Sequence, residues 1–174
     1  MELYSIVLVI HSWLRWAVLL TMVAGVGLCA QGLVARRPVD KRDRAVLGAM
    51  MGSLHLQVVL GLLMQVGLSP TVRLAYGDMK AAMKAPMLRF WAVEHLAGML
   101  LAAVVVTVGV VVGKRRGEVD EEAAGDPEEV LAASAKRFKT TLVALALGLL
   151  IIIGSIPWPF RAAVARDLFR GLGF

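Results

Sequence analysis

Three histidines are the residues of this chain with the clearest capacity for chemistry: His11, His55 and His95. Each lies in an apolar stretch of about the length that crosses a membrane. Ionisable side chains are costly to bury in such a stretch, so each of them marks a functional site by default. Imidazole binds metal ions and haem iron and also relays protons, and these are the chemistries that the three residues suggest.

The composition indicates a membrane protein. Hydrophobic residues make up 59% of the 174 residues and mean hydropathy is +0.74, whereas soluble domains contain roughly 45–50% apolar residues. Four apolar stretches reach the length of about 20 residues that a spanning helix needs. The sequence therefore predicts an all-α, integral membrane, antiparallel four-helix bundle that forms one domain, residues 1–174. The expected spans are about 6–34, 45–68, 88–113 and 141–157.

Charge and cysteine content refine this prediction. Lysines and arginines cluster in the connections after spans one and three, which favours those connections in the cytoplasm and both termini outside. We expect a multi-pass protein of the bacterial inner membrane, whose first stretch is too long, and too poor in preceding basic residues, for a signal peptide. Residues 114–139 are expected to form a solvated cytoplasmic linker with a short helix after Asp126-Pro127, and residues 161–174 an interfacial amphipathic tail. The lone Cys29 excludes an intramolecular disulfide and a cysteine metal cluster.

The surroundings of the histidines contain further polar and small residues. Arg15 lies four residues after His11, on the same helical face, between two tryptophans that suit a membrane interface. Gly52 and Gly98 each lie about one turn from a histidine, so a flat group bound to that imidazole would approach the backbone there. The Gly48-x-x-x-Gly52 spacing is also typical of close helix packing in lipid.

The expected depths of the histidines favour a haem site. His11 and His95 lie within about one turn of each other along the membrane normal, on spans one and three, which are diagonal in an up-down bundle. With neighbouring axes about 8–10 Å apart, the diagonal is roughly 11–14 Å, which suits a porphyrin held by one imidazole from each side. His55 with His95 is the competing pair. Without a CxxCH motif, the haem is expected to be non-covalent, b-type haem.

Two charges near the histidines need partners. Arg15 either neutralises a haem propionate or pairs with Glu94, which lies at similar depth. Another possibility is a Zn or Cu site built from His11, His55 and His95 with Glu94. A third is that the histidines only form hydrogen bonds or relay protons, in a cofactor-free scaffold subunit of a membrane complex.

Four motifs resemble the small four-helix bacterial membrane proteins that are labelled cytochrome b-like. They are His-Ser-Trp-Leu-Arg-Trp at 11–16, His-Leu-Gln at 55–57, Arg-Phe-Trp-Ala-Val-Glu-His at 89–95 and Ile-Pro-Trp-Pro-Phe at 156–160. The resemblance runs along the whole chain and implies b-type haem and electron transfer, with matching histidines at 11, 55 and 95. We therefore expect an electron-transfer subunit of a quinone-linked redox complex rather than a stand-alone enzyme. This subunit is expected to contact lipid and other membrane subunits.

Overall fold

The computed structural model describes residues 2–120 and 122–169, and within those ranges the chain has no strand. Four long apolar helices confirm the predicted all-α class, and each is long and apolar enough to cross a membrane. They are Leu3–Val34, Lys41–Leu68, Pro86–Arg116 and Pro127–Ser155. The α-helices in chain order are α1 (Glu2–Val34), α2 (Lys41–Leu63), α3 (Pro70–Gly77), α4 (Met79–Lys84), α5 (Pro86–Arg89), α6 (His95–Arg116) and α7 (Pro127–Ser155).

Two of the long helices contain a π-helical turn, at Met64–Leu68 after α2 and at Phe90–Glu94 before α6. Such turns add a residue to the helical repeat and recur at functional sites. The side chain of Gln65 joins the two turns, because its Nε2 donates to the carbonyl of Ala92 at 2.9 Å and to the hydroxyl of Tyr76 at 2.8 Å. The end of α2 and the start of α6 therefore lie together at one end of the bundle, which we call the cavity end.

Glycines allow α6 and α7 to approach closely. A Cβ at Gly98, Gly109 or Gly113 would collide with Ser155, Ala144 or Thr141, respectively. The contacts run in opposite chain order, as expected of antiparallel neighbours. Small residues at a membrane helix interface let the backbones come close together.

The contacts of α1 with α2 and with α7 also run in opposite chain order. Thr21 of α1 lies 3.3 Å from Ser53 of α2 between the two hydroxyl oxygens, and Gln57 donates to the backbone carbonyl of His11 at 3.0 Å. Glycines of α1 pack on Leu145 and Phe138 of α7. All four long helices contribute to one buried apolar core, which includes Val18, Met22, Leu47, Met50, Leu54, Ala102, Val106, Leu145 and Ile152.

A buried ion pair ties together the end opposite the cavity end. Arg37 donates two hydrogen bonds to Asp43, at 2.6 and 2.8 Å, and only 1% of Asp43 is exposed. Asp43 also completes a capping box with Asp40 at the start of α2. The hydrogen bonds to Asp43 raise the pKa of Arg37, which keeps this side chain charged.

Two stretches differ from the sequence-based expectation. The helix predicted after Asp126-Pro127 is present, but it is the start of the long α7, which Asp126 caps, and α6 continues to Arg116. Phe138 and Ser134 are buried, so this part of α7 packs on the bundle instead of being solvated. The tail forms no helix over residues 161–169 and folds back onto the cavity end. Residues 170–174 of the predicted tail lie outside the described residues.

Candidate cofactor site at the cavity end

A cavity of about 130 Å³ lies at the cavity end, among the four long helices and the residues that follow α7. Apolar side chains form much of its wall, and several polar groups converge on it. These are His11, Arg15, Gln57, Gln65, His95 and Arg166. An apolar cavity with a few convergent polar groups is the usual form of a cofactor site.

The ring of His95 is held in one orientation by a backbone hydrogen bond. Its Nδ1 lies 2.8 Å from the carbonyl oxygen of Ser155, and because a carbonyl only accepts, Nδ1 carries the proton. That tautomer leaves the lone pair on Nε2, the arrangement found in imidazoles that bind metals. The π-turn places the rings of Phe90 and Trp91 against His95, with centroids 5.6 and 5.5 Å away.

His11 lies against a glycine of the neighbouring helix. A Cβ at Gly61 would lie 3.3 Å from Cε1 and 4.0 Å from Nδ1 of the imidazole, so this edge of the ring occupies the space of a missing side chain. Nδ1 of His11 and Oε1 of Gln57 are both buried without a hydrogen-bond partner. Buried polar atoms without partners are costly, which indicates that this part of the cavity accommodates a further polar group or water.

Arg15 lies beside the two histidines but does not pair with Glu94. Its Nη2 donates to the carbonyl of Leu168 at 2.7 Å, while its Nε is buried without a partner. Glu94 is exposed and accepts from Nε of Arg89 at 2.6 Å. The proposed Arg15–Glu94 pairing was therefore wrong, because the π-turn directs Glu94 away from the cavity and towards the short α5 helix.

The structure does not bring His55 into the cavity. This residue is exposed on the outer surface of α2 and lies 3.0 Å from Thr107, between Nε2 and the hydroxyl oxygen. Gly52 is also exposed, and a Cβ there would meet no atom within 4 Å. Gly98 faces Ser155 of α7 and not the cavity. The candidate site thus contains His11, His95 and Arg15 of the predicted set, and lacks His55, Glu94 and both glycines.

Comparisons with models of protein families, with curated proteins and with solved structures find no match to this chain. The resemblance to cytochrome b-like membrane proteins therefore stays a prediction.

The metal site expected from all three histidines lacks a third ligand. Within the part of the chain that the structure describes, no group of three His, Cys, Asp or Glu side chains is placed to hold a metal ion. The reason is the position of His55, which is turned towards the membrane side of the bundle. Two imidazoles remain, and a two-imidazole set matches the axial positions of haem iron more closely than a tetrahedral zinc site.

Several site residues were not predicted from the sequence. Gln65 is a polar residue in an apolar stretch, and that signal was available, since buried amides need partners. Gly61 resembles any other glycine of a membrane helix, and only the neighbouring ring of His11 reveals its role. Arg166 belongs to a segment without helical periodicity, and the sequence contains no pattern that fixes its position.

Proposed function

We propose that this protein is a membrane cytochrome subunit that binds one haem b non-covalently, with His11 and His95 as the axial ligands. The observation that carries the proposal is the convergence of these two imidazoles, from α1 and α6, on one cavity. The hydrogen bond from His95 to Ser155 supports it, because it leaves Nε2 free to ligate. For His11, the proposal is supported by the absence of a side chain at Gly61, which leaves room for the imidazole.

The side chains of the remaining wall suit a tetrapyrrole in their chemistry, and the cavity of about 130 Å³ would have to widen to hold one, since ligand pockets are usually about 300–1,000 Å³. Apolar side chains of α1, α2, α6 and α7 line the cavity. Arg15 is placed beside the histidines with its Nε unpaired, so it can neutralise a carboxylate.

Bound haem iron supplies reversible one-electron transfer. In this proposal His11 and His95 would hold the iron, and the apolar side chains of the wall would surround the ring. We propose that electrons pass to or from the quinone pool within a larger redox complex of the bacterial inner membrane, with both termini outside. The basic residues between α1 and α2 and at the end of α6 (Lys114, Arg115 and Arg116) would then face the cytoplasm, in keeping with the positive-inside rule.

The test is a reduced-minus-oxidised visible spectrum of the detergent-purified protein, with haem quantified per chain. We expect about one haem per chain and a sharp reduced α-band of a six-coordinate, low-spin b-type haem. His11→Ala and His95→Ala should each abolish that band. His55→Ala is the matched control and should retain it, because His55 lies outside the cavity.

Two results would contradict the proposal. A protein without a Soret band after expression with excess haem precursor would favour a cofactor-free scaffold subunit. Stoichiometric Zn or Cu by elemental analysis, lost in His55→Ala, would favour the metal-handling alternative.

A further inference from the structure

The residues after α7 form a strap across the cavity end. It begins at Arg161, whose Nη1 donates to the carbonyls of Gly154 and Ile156 at 3.0 and 3.2 Å. The guanidinium carbon of Arg161 lies 4.9 Å from the ring centroid of Phe90, and the backbone N–H of Arg166 donates to the carbonyl of Pro157. We use the name strap for residues 161–169. Its first half is thus attached to the end of α7 and to the π-turn before α6.

The other half of the strap is attached to α1. The carbonyl of Leu168 accepts from Arg15 at 2.7 Å and from Nε1 of Trp16 at 3.1 Å. The ring of Phe169 stacks on Trp16, with centroids 5.5 Å apart, and lies 5.6 Å from Trp13. The strap therefore bridges the two helices that carry the candidate axial histidines, and it does so without helical hydrogen bonds of its own.

The strap adds a second positive charge to the cavity. Arg166 lines the cavity, and its guanidinium carbon lies 5.2 Å from the ring centroid of Trp91. Among the described residues, no ion pair joins Arg15 or Arg166 to a carboxylate. Nε of Arg15 is moreover buried without an acceptor. Two guanidinium groups that line an apolar cavity create a site for anionic oxygens, which arginine binds through paired hydrogen bonds.

We infer that Arg15 and Arg166 together hold the carboxylates of the bound tetrapyrrole, and that the strap retains this ligand by closing over it between α1 and α6. The inference rests on the proposed function. Anionic oxygens also occur in lipid headgroups, and the test separates these two sources. Trp91 and Trp16 position the two arginines, since each guanidinium lies over one of these rings.

The first measurement compares ferric haem b with its dimethyl ester, which has the same ring without carboxylates. Purified protein in phosphatidylcholine nanodiscs is titrated with haem or with the ester, and the Soret band measures how much ligand is bound. Arg166→Gln should weaken the binding of haem about tenfold, the order expected for one hydrogen bond to a charged group, and leave the ester unchanged. Arg166→Lys should restore part of the affinity for haem that Arg166→Gln loses. Arg73→Gln, an exposed arginine of α3 outside the cavity lining, is the control and should change neither affinity.

The second measurement is the rate at which haem leaves the protein for an excess of an acceptor protein. Phe169→Ala should raise this rate several-fold for haem and ester alike, without altering the absorption spectrum, because it loosens the strap and not the axial ligands. Phe160→Ala is the matched control: that ring is 79% exposed and stacks on Trp158, away from α1. An unchanged rate in Phe169→Ala would overturn the retaining role of the strap.

The outcomes separate this inference from the proposed function. Equal weakening of haem and ester by Arg166→Gln, or no weakening of either, overturns the carboxylate role while the haem site stands. Failure of both ligands to bind overturns the proposed function and the inference with it. A third outcome has three parts: phosphatidylglycerol raises the melting temperature of haem-free protein, Arg166→Gln abolishes this increase, and haem and ester bind equally well. In that case the bound anion is a lipid phosphate, and the inference is wrong.

Discussion

At the scale of single residues, the site depends on where each imidazole finds a hydrogen-bond partner and space. His95 donates through Nδ1 to the carbonyl of Ser155, whereas Nδ1 of His11 is buried without a partner. His55 finds a hydroxyl on the outside of the bundle instead. The three histidines have similar sequence surroundings, yet their environments differ, and only two of them line the cavity.

The space beside His11 gives a residue-scale prediction. Gly61→Leu should weaken haem binding about tenfold or more, because even the Cβ would lie 3.3 Å from Cε1 of His11 and the rest of the side chain must push the ring aside. The measurement is a haem titration followed by the Soret band. Gly52→Leu is the control, since a Cβ at Gly52 meets nothing within 4 Å, and its affinity should equal that of the unaltered protein. Equal affinities of all three proteins would mean that the ring of His11 is not a ligand.

At the scale of elements, the π-turns and the glycines of α6 determine which side chains reach the cavity. In the π-turn Phe90–Glu94, the rings of both Phe90 and Trp91, five and four residues before His95, lie against the imidazole. The close approach of α7 to α6 at Gly98 brings the carbonyl of Ser155 within reach of His95.

The approach of α6 and α7 can be tested in the middle of their interface. Gly109→Val should lower the free energy of unfolding by about 2 kcal/mol or more, because its Cβ would overlap that of Ala144 and overpacking costs about 1–3 kcal/mol. The loss of helical circular dichroism in mixed dodecylsulfate micelles measures this change. Gly48→Val, at an exposed position with no atom near its Cβ, should leave the transition almost unchanged. A similar shift in both variants would contradict the tight α6–α7 contact.

At the scale of the whole molecule, the two ends of the bundle have different structures. The cavity end contains His11 and His95, the short helices α3 to α5 and the strap. The opposite end is fixed by the ion pair of Arg37 and Asp43 and contains the basic connection between α1 and α2. The strap joins residues that are 153 positions apart in the chain, which closes the bundle at the cavity end.

Cysteine labelling tests the orientation that we propose for these ends. In a Cys29→Ala background, which removes a native thiol that is only 2% exposed, Lys80→Cys should react with a membrane-impermeant maleimide in intact spheroplasts. Arg42→Cys, at the opposite end, should react only after the membrane is permeabilised. The expected reason is the retention of the basic connections in the cytoplasm. The reverse pattern would show that the cavity end faces the cytoplasm.

The sequence by itself determined the class of the protein and the number of its long helices. Apolar stretches of membrane length leave the backbone no alternative to helix, because every N–H and C=O must be satisfied internally. The sequence did not indicate that Gln57 would contact the backbone of His11. The four-residue spacing of His11 and Arg15 predicted that they lie on one helical face, and both line the cavity.

Only the tertiary structure decided which histidines converge. The direction of a side chain on a membrane helix depends on the rotation of that helix about its axis, and an apolar sequence without strong periodicity does not fix this rotation. The two π-turns change the rotation further, which separated Glu94 from Arg15. The position of the strap depends on contacts with residues more than 150 positions away, between Leu168 and both Arg15 and Trp16, and no local pattern encodes contacts at such a separation.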